Sequence, residues 1–317
     1  MKRALLVGID KYDAFPSLSG CVNDVWALKP LLARHDNGDL NFEVVTLSSD
    51  VDRVDRGTLL RLLQELVAPG ADVALLYFAG HGSSSVNDVH LVTQDASGVE
   101  PGLLMSTVMG MVHASPIREV IVVLDCCFSG AAGGNAILGE GASAIRPGTA
   151  ILTASRADQT AAETLGGQGQ FSYFLCGALE GGAADTLGKV TVAGLYAYLA
   201  ESFGSWGQRP VFKGSLDRLH DLRKCDSAIS LGNLRRLAEL FLRANTEYQL
   251  DPSYEPTDPS HDPEKGKIFS VLQRFRASRL VEPIGTEHMY YAAIESRKCK
   301  LTHLGKLYWR MASEGRL

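Results

Sequence analysis

The sequence predicts an α/β protein, a mainly parallel sheet flanked by helices, followed by a small C-terminal α+β domain. Three observations carry that reading. Five short runs rich in Val, Ile and Leu lack strict polar alternation, as strands covered on both faces do. Helical patterns fall between them, and the composition shifts after about Leu222. The runs are residues 4–9, 42–47, 73–78, 120–124 and 150–152. Strands alternating with helices imply parallel pairing through right-handed crossovers.

Each helical pattern has its own apolar stripe. Residues 23–34 align Val25, Leu28, Leu31 and Leu32, and residues 56–67 align Leu59, Leu60, Leu63 and Leu66. Residues 103–112 form a third helix before the strand at 120–124, and residues 172–179 and 191–203 precede a last short strand at 210–212. A chain of 317 residues, 45% of them hydrophobic, is long enough for one large core and one smaller core. The expected domains are therefore 1–222 and 226–317.

The second region begins with a helix at 231–244 and a Pro-rich acidic segment at 251–264 that reads as a mobile loop. A basic helix at 267–279, a strand and turn at 281–294 and a final helix at 302–312 follow. Helices followed by a β-ribbon resemble a winged helix, which implies a regulatory or interaction domain. Residues 265–310 hold ten Lys and Arg against three Asp and Glu, so Arg274, Arg276 and Arg279 could meet phosphates of nucleic acid. The plainer alternative is a module that docks another protein.

A net charge of −5 gives no global reason to expect nucleic acid. The six cysteines, Cys21, Cys126, Cys127, Cys176, Cys225 and Cys299, show no C-x-x-C spacing and read as free thiols of a reducing compartment. The apolar stretch at 4–9 is too short for a signal peptide, and no run approaches a membrane span. The expectation is a soluble, cytoplasmic protein with no membrane partner.

Two strand runs close on reactive residues: Tyr77-Phe78-Ala79-Gly80-His81-Gly82, and Leu124-Asp125-Cys126-Cys127-Phe128-Ser129-Gly130. A thiol is a useful nucleophile only as thiolate, and an imidazole that takes its proton is the usual apparatus of amide cleavage. In open α/β sheets the reactive crevice lies beyond the carboxyl ends of the strands, at a topological switch point, where both residues are expected. A Gly-rich exposed loop, 130–148, follows.

Four blocks, in order, resemble the caspase-like cysteine peptidases, and among them the metacaspase type. They are Ala4-Leu5-Leu6-Val7-Gly8-Ile9 with Gly20-Cys21-Val22-Asn23-Asp24; Phe78-Ala79-Gly80-His81-Gly82; Asp125-Cys126-Cys127-Phe128-Ser129-Gly130; and Leu152-Thr153-Ala154-Ser155-Arg156-Ala157-Asp158-Gln159 with Gly169-Gln170-Phe171-Ser172. The resemblance covers about residues 1–215. Cys127 lies 46 residues after His81, close to the separation of about 50 in caspases, although the local caspase sequence around the cysteine is absent.

The resemblance implies a caspase-like sheet, with Cys127 as nucleophile, His81 as base and then acid to the leaving amine, and the N–H groups of Gly82 and Cys127 as oxyanion hole. Alignment on Asp125 and Ser129-Gly130 selects Cys127 over Cys126; Cys126 and Cys176 read as inert core thiols. Two positions depart from the metacaspase pattern: Phe128 replaces a histidine, and Ala79 replaces a serine.

By the same resemblance Asp24 and Asp125, with Cys21 as third wall, form a substrate pocket for Arg or Lys, whose charge suits paired carboxylates. The alternative for Asp24 is a helix N-cap. No cofactor is required by the sequence. Calcium, which metacaspases often need, has Asp50, Asp52 and Asp55 as conceivable ligands, but no twelve-residue calcium loop is present and such a trio is more often a solvated turn.

The expected function is a cysteine endopeptidase cutting proteins or peptides after Arg or Lys, activated conditionally by a regulatory protein or small molecule in cell-death or defence signalling. Arg146, in the Gly-rich loop, is an expected self-cleavage site, with Pro147 against it and Arg223 and Lys224 as second choice. The alternatives are a catalytically weak caspase-like scaffold and a DNA-binding regulator whose α/β domain senses a ligand.

Overall fold

The computed structural model of the chain describes residues 1–84, 88–97, 101–126, 128–129, 145–154, 167–204 and 210–317. It divides into two compact units, Met1–Asp185 with Lys189–Asp226, and Thr186–Gly188 with Ser227–Leu317.

The first unit runs β1 (Lys2–Gly8), α1 (Cys21–Ala33), β2 (Phe42–Ser48), α2 (Arg56–Leu66), β3 (Val73–Ala79), β4 (Gly82–Ser84), β5 (Val89–Leu91), β6 (Leu103–Leu104), α3 (Met105–Ala114), β7 (Glu119–Asp125), β8 (Phe128–Ser129), β9 (Thr149–Thr153), α4 (Gln170–Gly177), β10 (Lys189–Val190), α5 (Val192–Phe203), β11 (Val211–Ser215) and β12 (Arg223–Lys224). Six strands make the central sheet in the order β11-β9-β7-β3-β1-β2. All pair in parallel except β11, which is antiparallel to β9. This is the mixed α/β, mainly parallel sheet expected.

Period-two burial explains why the strands read as unbroken apolar runs. Leu6, Leu75, Tyr77, Ile121, Val123 and Leu152 face α1, α4 and α5, whose Leu28, Phe171, Leu175 and Leu199 complete one core. Leu5, Val7, Leu76, Phe78, Val122 and Leu124 face α2 and α3, with Leu59, Leu63 and Val108, in the other. Each such side chain contributes roughly 1.5–3 kcal/mol by leaving water, so neither face of β3 or β7 tolerates a polar position until the strand ends.

Strand order reverses on either side of β1, so the topological switch lies between β1 and β3. His81 leaves β3 at the switch itself, whereas β7, which leads to Cys127, stands one strand away. Beyond the ends of β3 and β7 a second small sheet, β6-β5-β4-β8, continues the chain.

The second unit comprises α6 (Leu231–Leu240), β13 (Glu247–Gln249), α7 (Pro263–Ala277), β14 (Val281–Pro283), α8 (Met289–Ile294), β15 (Lys298–Leu301) and α9 (His303–Ser313). It has its own core, including Leu234, Leu237, Phe241, Leu272, Phe275 and Leu301. The strand-and-turn expected at 281–294 differs in detail. Only β14 is strand there; α8 follows, and the partner strand is β15, with β13 completing an antiparallel sheet in the order β13-β15-β14. Met289, Ala292 and Ala293 are the buried face of α8, a spacing that suits one helical turn.

The acidic segment expected to be a mobile loop is folded instead. Asp251 accepts from Ser253 N, Asp258 from Ser260 N and Asp262 from Glu264 N, three Asx turns that give the backbone partners in place of a sheet. Tyr254 and Glu255 are buried within it. Arg274, Arg276 and Arg279 are exposed, while Lys298 and Lys300 pair with Glu247 and Glu282. Among the described residues no helix is long and apolar enough to cross a membrane.

Candidate active site

His81 stands where β3 gives way to β4. A segment between β1 and α1 wraps it. Its Nε2 lies 2.8 Å from the Pro16 carbonyl, and a carbonyl can only accept, so Nε2 is the nitrogen that donates there. The His81 backbone N–H donates to the Tyr12 hydroxyl at 2.8 Å, and its carbonyl accepts from Val92 N at 3.0 Å. The rings of Tyr12 and Phe15 pack at 4.8 and 6.1 Å from the imidazole centroid.

The wrapping segment is itself anchored at both ends. Asp10 accepts from Cys21 N at 2.9 Å and Val22 N at 3.4 Å, so it caps the start of α1 from a distance. Gly20 is the N-cap, with a φ of 106° that favours glycine. Midway, Asp13 N–H donates to the Gln94 carbonyl and its carboxylate pairs with Arg53.

Cys127 lies outside the described residues, as do 130–144 of the Gly-rich loop. Its neighbours are described. Asp125, the end of β7, pairs with Ala79, and Phe128 pairs with Gly82. Cys126 is buried in the core under α2 and α3, in keeping with a structural thiol. Cys176 is half-buried and its thiol is pushed up to about 12, mainly by burial.

Asp24 and Asp125 are brought together. Asp24 is buried in the first turn of α1, and its Oδ1 accepts from Gly169 N at 3.1 Å and from the Ser172 hydroxyl. With Gly20 at the cap position, Asp24 does not fill that role. Asp125 accepts from the Tyr77 hydroxyl at 3.0 Å. A Cβ placed on Gly169 would lie 3.2 Å from Asp24 Oδ2 and 3.5 Å from Asp125 Oδ2, so both carboxylates converge on one point. Burial, then repulsion from Asp24, pushes the Asp125 carboxyl up to about 7. Cys21 joins them: burial first, then Asp10, Asp125 and Asp24, drive its thiol well above its usual range, so it stays protonated.

The other expected residues lie elsewhere. Asp55 caps α2 by accepting from Thr58 N, and Asp50 accepts from the Trp26 indole. Among the described residues no cluster of three or more His, Cys, Asp or Glu is gathered as a metal requires. Arg146 donates to the carbonyls of Ser115 and Ile117, each at 2.5 Å. Arg223 is buried, donating to the carbonyls of Arg34 and Leu179 and pairing with Asp36. Lys224 is exposed, but its backbone is bonded to His35 and Asp36.

Sequence reading missed Tyr12, Pro16, Ser172 and Tyr77. Pro16 acts through a carbonyl, which every residue has. Ser172 was within a matched block, and its position one turn into α4 was the usable signal.

A six-stranded, mainly parallel sheet with these groups at the carboxyl ends of its middle strands is the frame of a peptidase fold. The caspase domain profile matches residues 1–216, and the chain belongs to that family. Metacaspase-1 of Scheffersomyces stipitis is 30% identical over 92 residues, 27% of this chain and 23% of that protein, so the chain matches less than a quarter of that relative's length. Caspase-1 from Spodoptera frugiperda superposes with a TM-score of 0.53 at 15% identity, covering 71% of this chain and 91% of the other. A Geobacter sulfurreducens protein gives 0.53 at 12% identity, covering 71% and 99%. At those identities the likeness is one of fold.

Proposed function

We propose that this chain is a cysteine protease that cleaves after Arg or Lys through a Cys127–His81 pair. The observation that carries the pair is register. Ala79 pairs with Asp125 and Gly82 with Phe128, so the offset of 46 residues between the two segments is the same before and after the reactive positions. His81 and Cys127 share that offset in the sequence, and paired neighbouring strands run about 5 Å apart.

In this reading Nδ1 of the neutral His81 ring, whose Nε2 donates to the Pro16 carbonyl, takes the Cys127 proton. The thiolate attacks the scissile carbonyl, and the N–H groups of Gly82 and Cys127 receive the developing oxyanion. The resulting imidazolium protonates the leaving amine, and water then hydrolyses the thioester with His81 again as base. Asp24 and Asp125 supply the specificity. A guanidinium or ammonium entering beside them supplies the charged partner that burial and repulsion from Asp24 otherwise deny Asp125, whereas an acidic side chain would add to the repulsion.

The second unit, with its separate core, is proposed to control activity in a signalling role; a self-contained core is what a module that moves relative to the protease needs. Autoprocessing at Arg146 requires release of its bonds to Ser115 and Ile117, and cutting at Arg223 or Lys224 requires opening β12.

Steady-state cleavage of matched Arg, Lys, Leu and Asp peptides tests the reading. Cys127→Ala and His81→Ala should each abolish turnover, because they remove members of one proton-transfer unit, while Cys126→Ala keeps most of it. An active Cys127→Ala beside a dead Cys126→Ala would move the nucleophile by one residue.

A further inference from the structure

We propose that Tyr12 is a positioning residue of this site, holding the backbone and ring of His81 in place, and that residue 80 is glycine to admit it. The inference rests on the reading of His81 as the base.

The sheet leaves a problem at His81. The Gly80 N–H makes the last, long bond to β7, at 3.4 Å to the Asp125 carbonyl, and the His81 N–H beyond it has no strand to bond; a buried donor without a partner is costly. The Tyr12 hydroxyl accepts it at 2.8 Å. The same ring lies 4.8 Å from the imidazole, with the planes 48° apart. One side chain thus fixes both the main chain and the ring of the same residue. The third hold, the Pro16 carbonyl on Nε2, comes from the same segment four residues on. Burial drives the Tyr12 phenol well above its usual range, so it remains a neutral hydroxyl across working pH.

Gly80 records the space this requires. A Cβ there would lie 2.6 Å from the Tyr12 hydroxyl oxygen, and 3.3 Å from two ring carbons of Phe78. The first distance is shorter than any relaxed contact. A side chain at position 80 therefore displaces Tyr12 or lifts His81 out of register. Glycine before the histidine has a physical cause in a residue almost seventy positions earlier in the chain.

The experiment compares Tyr12→Phe, Tyr12→Leu, Gly80→Ala and the double variant Tyr12→Phe with Gly80→Ala, by steady-state kinetics and by 15N NMR of the His81 imidazole in the full chain. Tyr12→Phe keeps the ring and loses the acceptor; kcat should fall about tenfold with KM unchanged. Tyr12→Leu loses both, and kcat should fall about a hundredfold, with a smaller share of His81 protonated at Nε2. Gly80→Ala should cost less when residue 12 is Phe, since the oxygen it strikes is gone, and the fall in kcat at constant KM with the shift of the His81 nitrogen signals is what a merely structural role would not produce. Wild-type kcat and unchanged His81 nitrogen signals in Tyr12→Leu, or strictly additive Gly80→Ala, would overturn the proposal. His81→Ala measured beside them keeps the two readings apart. Full activity there would remove the base assignment, whereas the nitrogen spectra report on Tyr12 whichever way that falls.

Discussion

At the scale of single residues, the carboxyl pair makes the sharpest demands. Asp125 holds its proton to about 7 in the folded chain against 3.8 in its ordinary state. Between those values the unfolded chain has released a proton that the folded chain keeps, so stability falls as pH rises through that window and levels off above about 7. Urea unfolding at pH 5 and pH 8 should show this slope in wild type and lose it in Asp125→Asn. Substrate binding runs the other way: the apparent affinity for Arg peptides should rise as pH increases through about 7, where Asp125 ionises. Asp125→Asn should cost Arg substrates about 1.5–3 kcal/mol, roughly tenfold to a hundredfold, because an entering guanidinium keeps only Asp24 as its charged partner, and should leave Leu peptides much less affected. Equal losses on both peptides would remove the basic pocket. Asn is the better variant than Ala at position 24 too, since Asp24 also accepts from Gly169 and Ser172. The meeting of Asp24 and Asp125 and the place of His81 at the end of β3 were legible in the sequence, because those residues stand in ordered blocks at strand and helix ends; Cys127 lies outside the described residues. Tyr12 and Pro16 were not; one works through a hydroxyl used as a simple acceptor, the other through its backbone.

At the scale of elements, burial decided what charge alone misrepresented. Arg223, a second-choice cleavage site by sequence, is a buried tie between β12, the end of α1 and the turn at Ala178–Gly182. Arg223→Ala should therefore destabilise the first unit by more than 1 kcal/mol, through carbonyls left without their charged donor, visible as a lowered Tm whether or not the chain processes itself. Strands β3, β7 and β9 were readable because both faces of each are buried, which erases alternation, whereas the edge strand β2, with Glu43 and Val45 exposed, was readable from its β-branched and apolar run alone. The α8 turn was not: Tyr290 and Tyr291 between Met289 and Ala292 look like strand aromatics, and both are exposed. The folded acidic segment did carry a signal, an Asp two residues before each Ser at 251–253 and 258–260, and Asp262-Pro263 at the start of α7.

At the scale of the whole molecule, two cores imply that the protease unit outlives removal of the other. Residues 1–226 should fold and keep peptide cleavage with altered regulation. Leu187, which packs in the second unit's core, would be bared by that cut. The truncated chain carrying Leu187→Ser should thus stay monodisperse where the simple truncation aggregates, as judged by light scattering and a cooperative thermal transition. A non-cooperative transition in both would mean that the regions share stability.

The central claim, a cysteine nucleophile at 127 served by His81 and fed by basic side chains, is tested most directly by covalent labelling. A peptidyl electrophile ending in Arg, reacted with the full chain and read by intact and peptide mass spectrometry, should give one adduct, on Cys127. It should be lost in Cys127→Ala, strongly slowed in His81→Ala, and absent with the Asp-terminated reagent. An adduct on Cys126 or Cys21, or faster labelling by the Asp reagent, would contradict it.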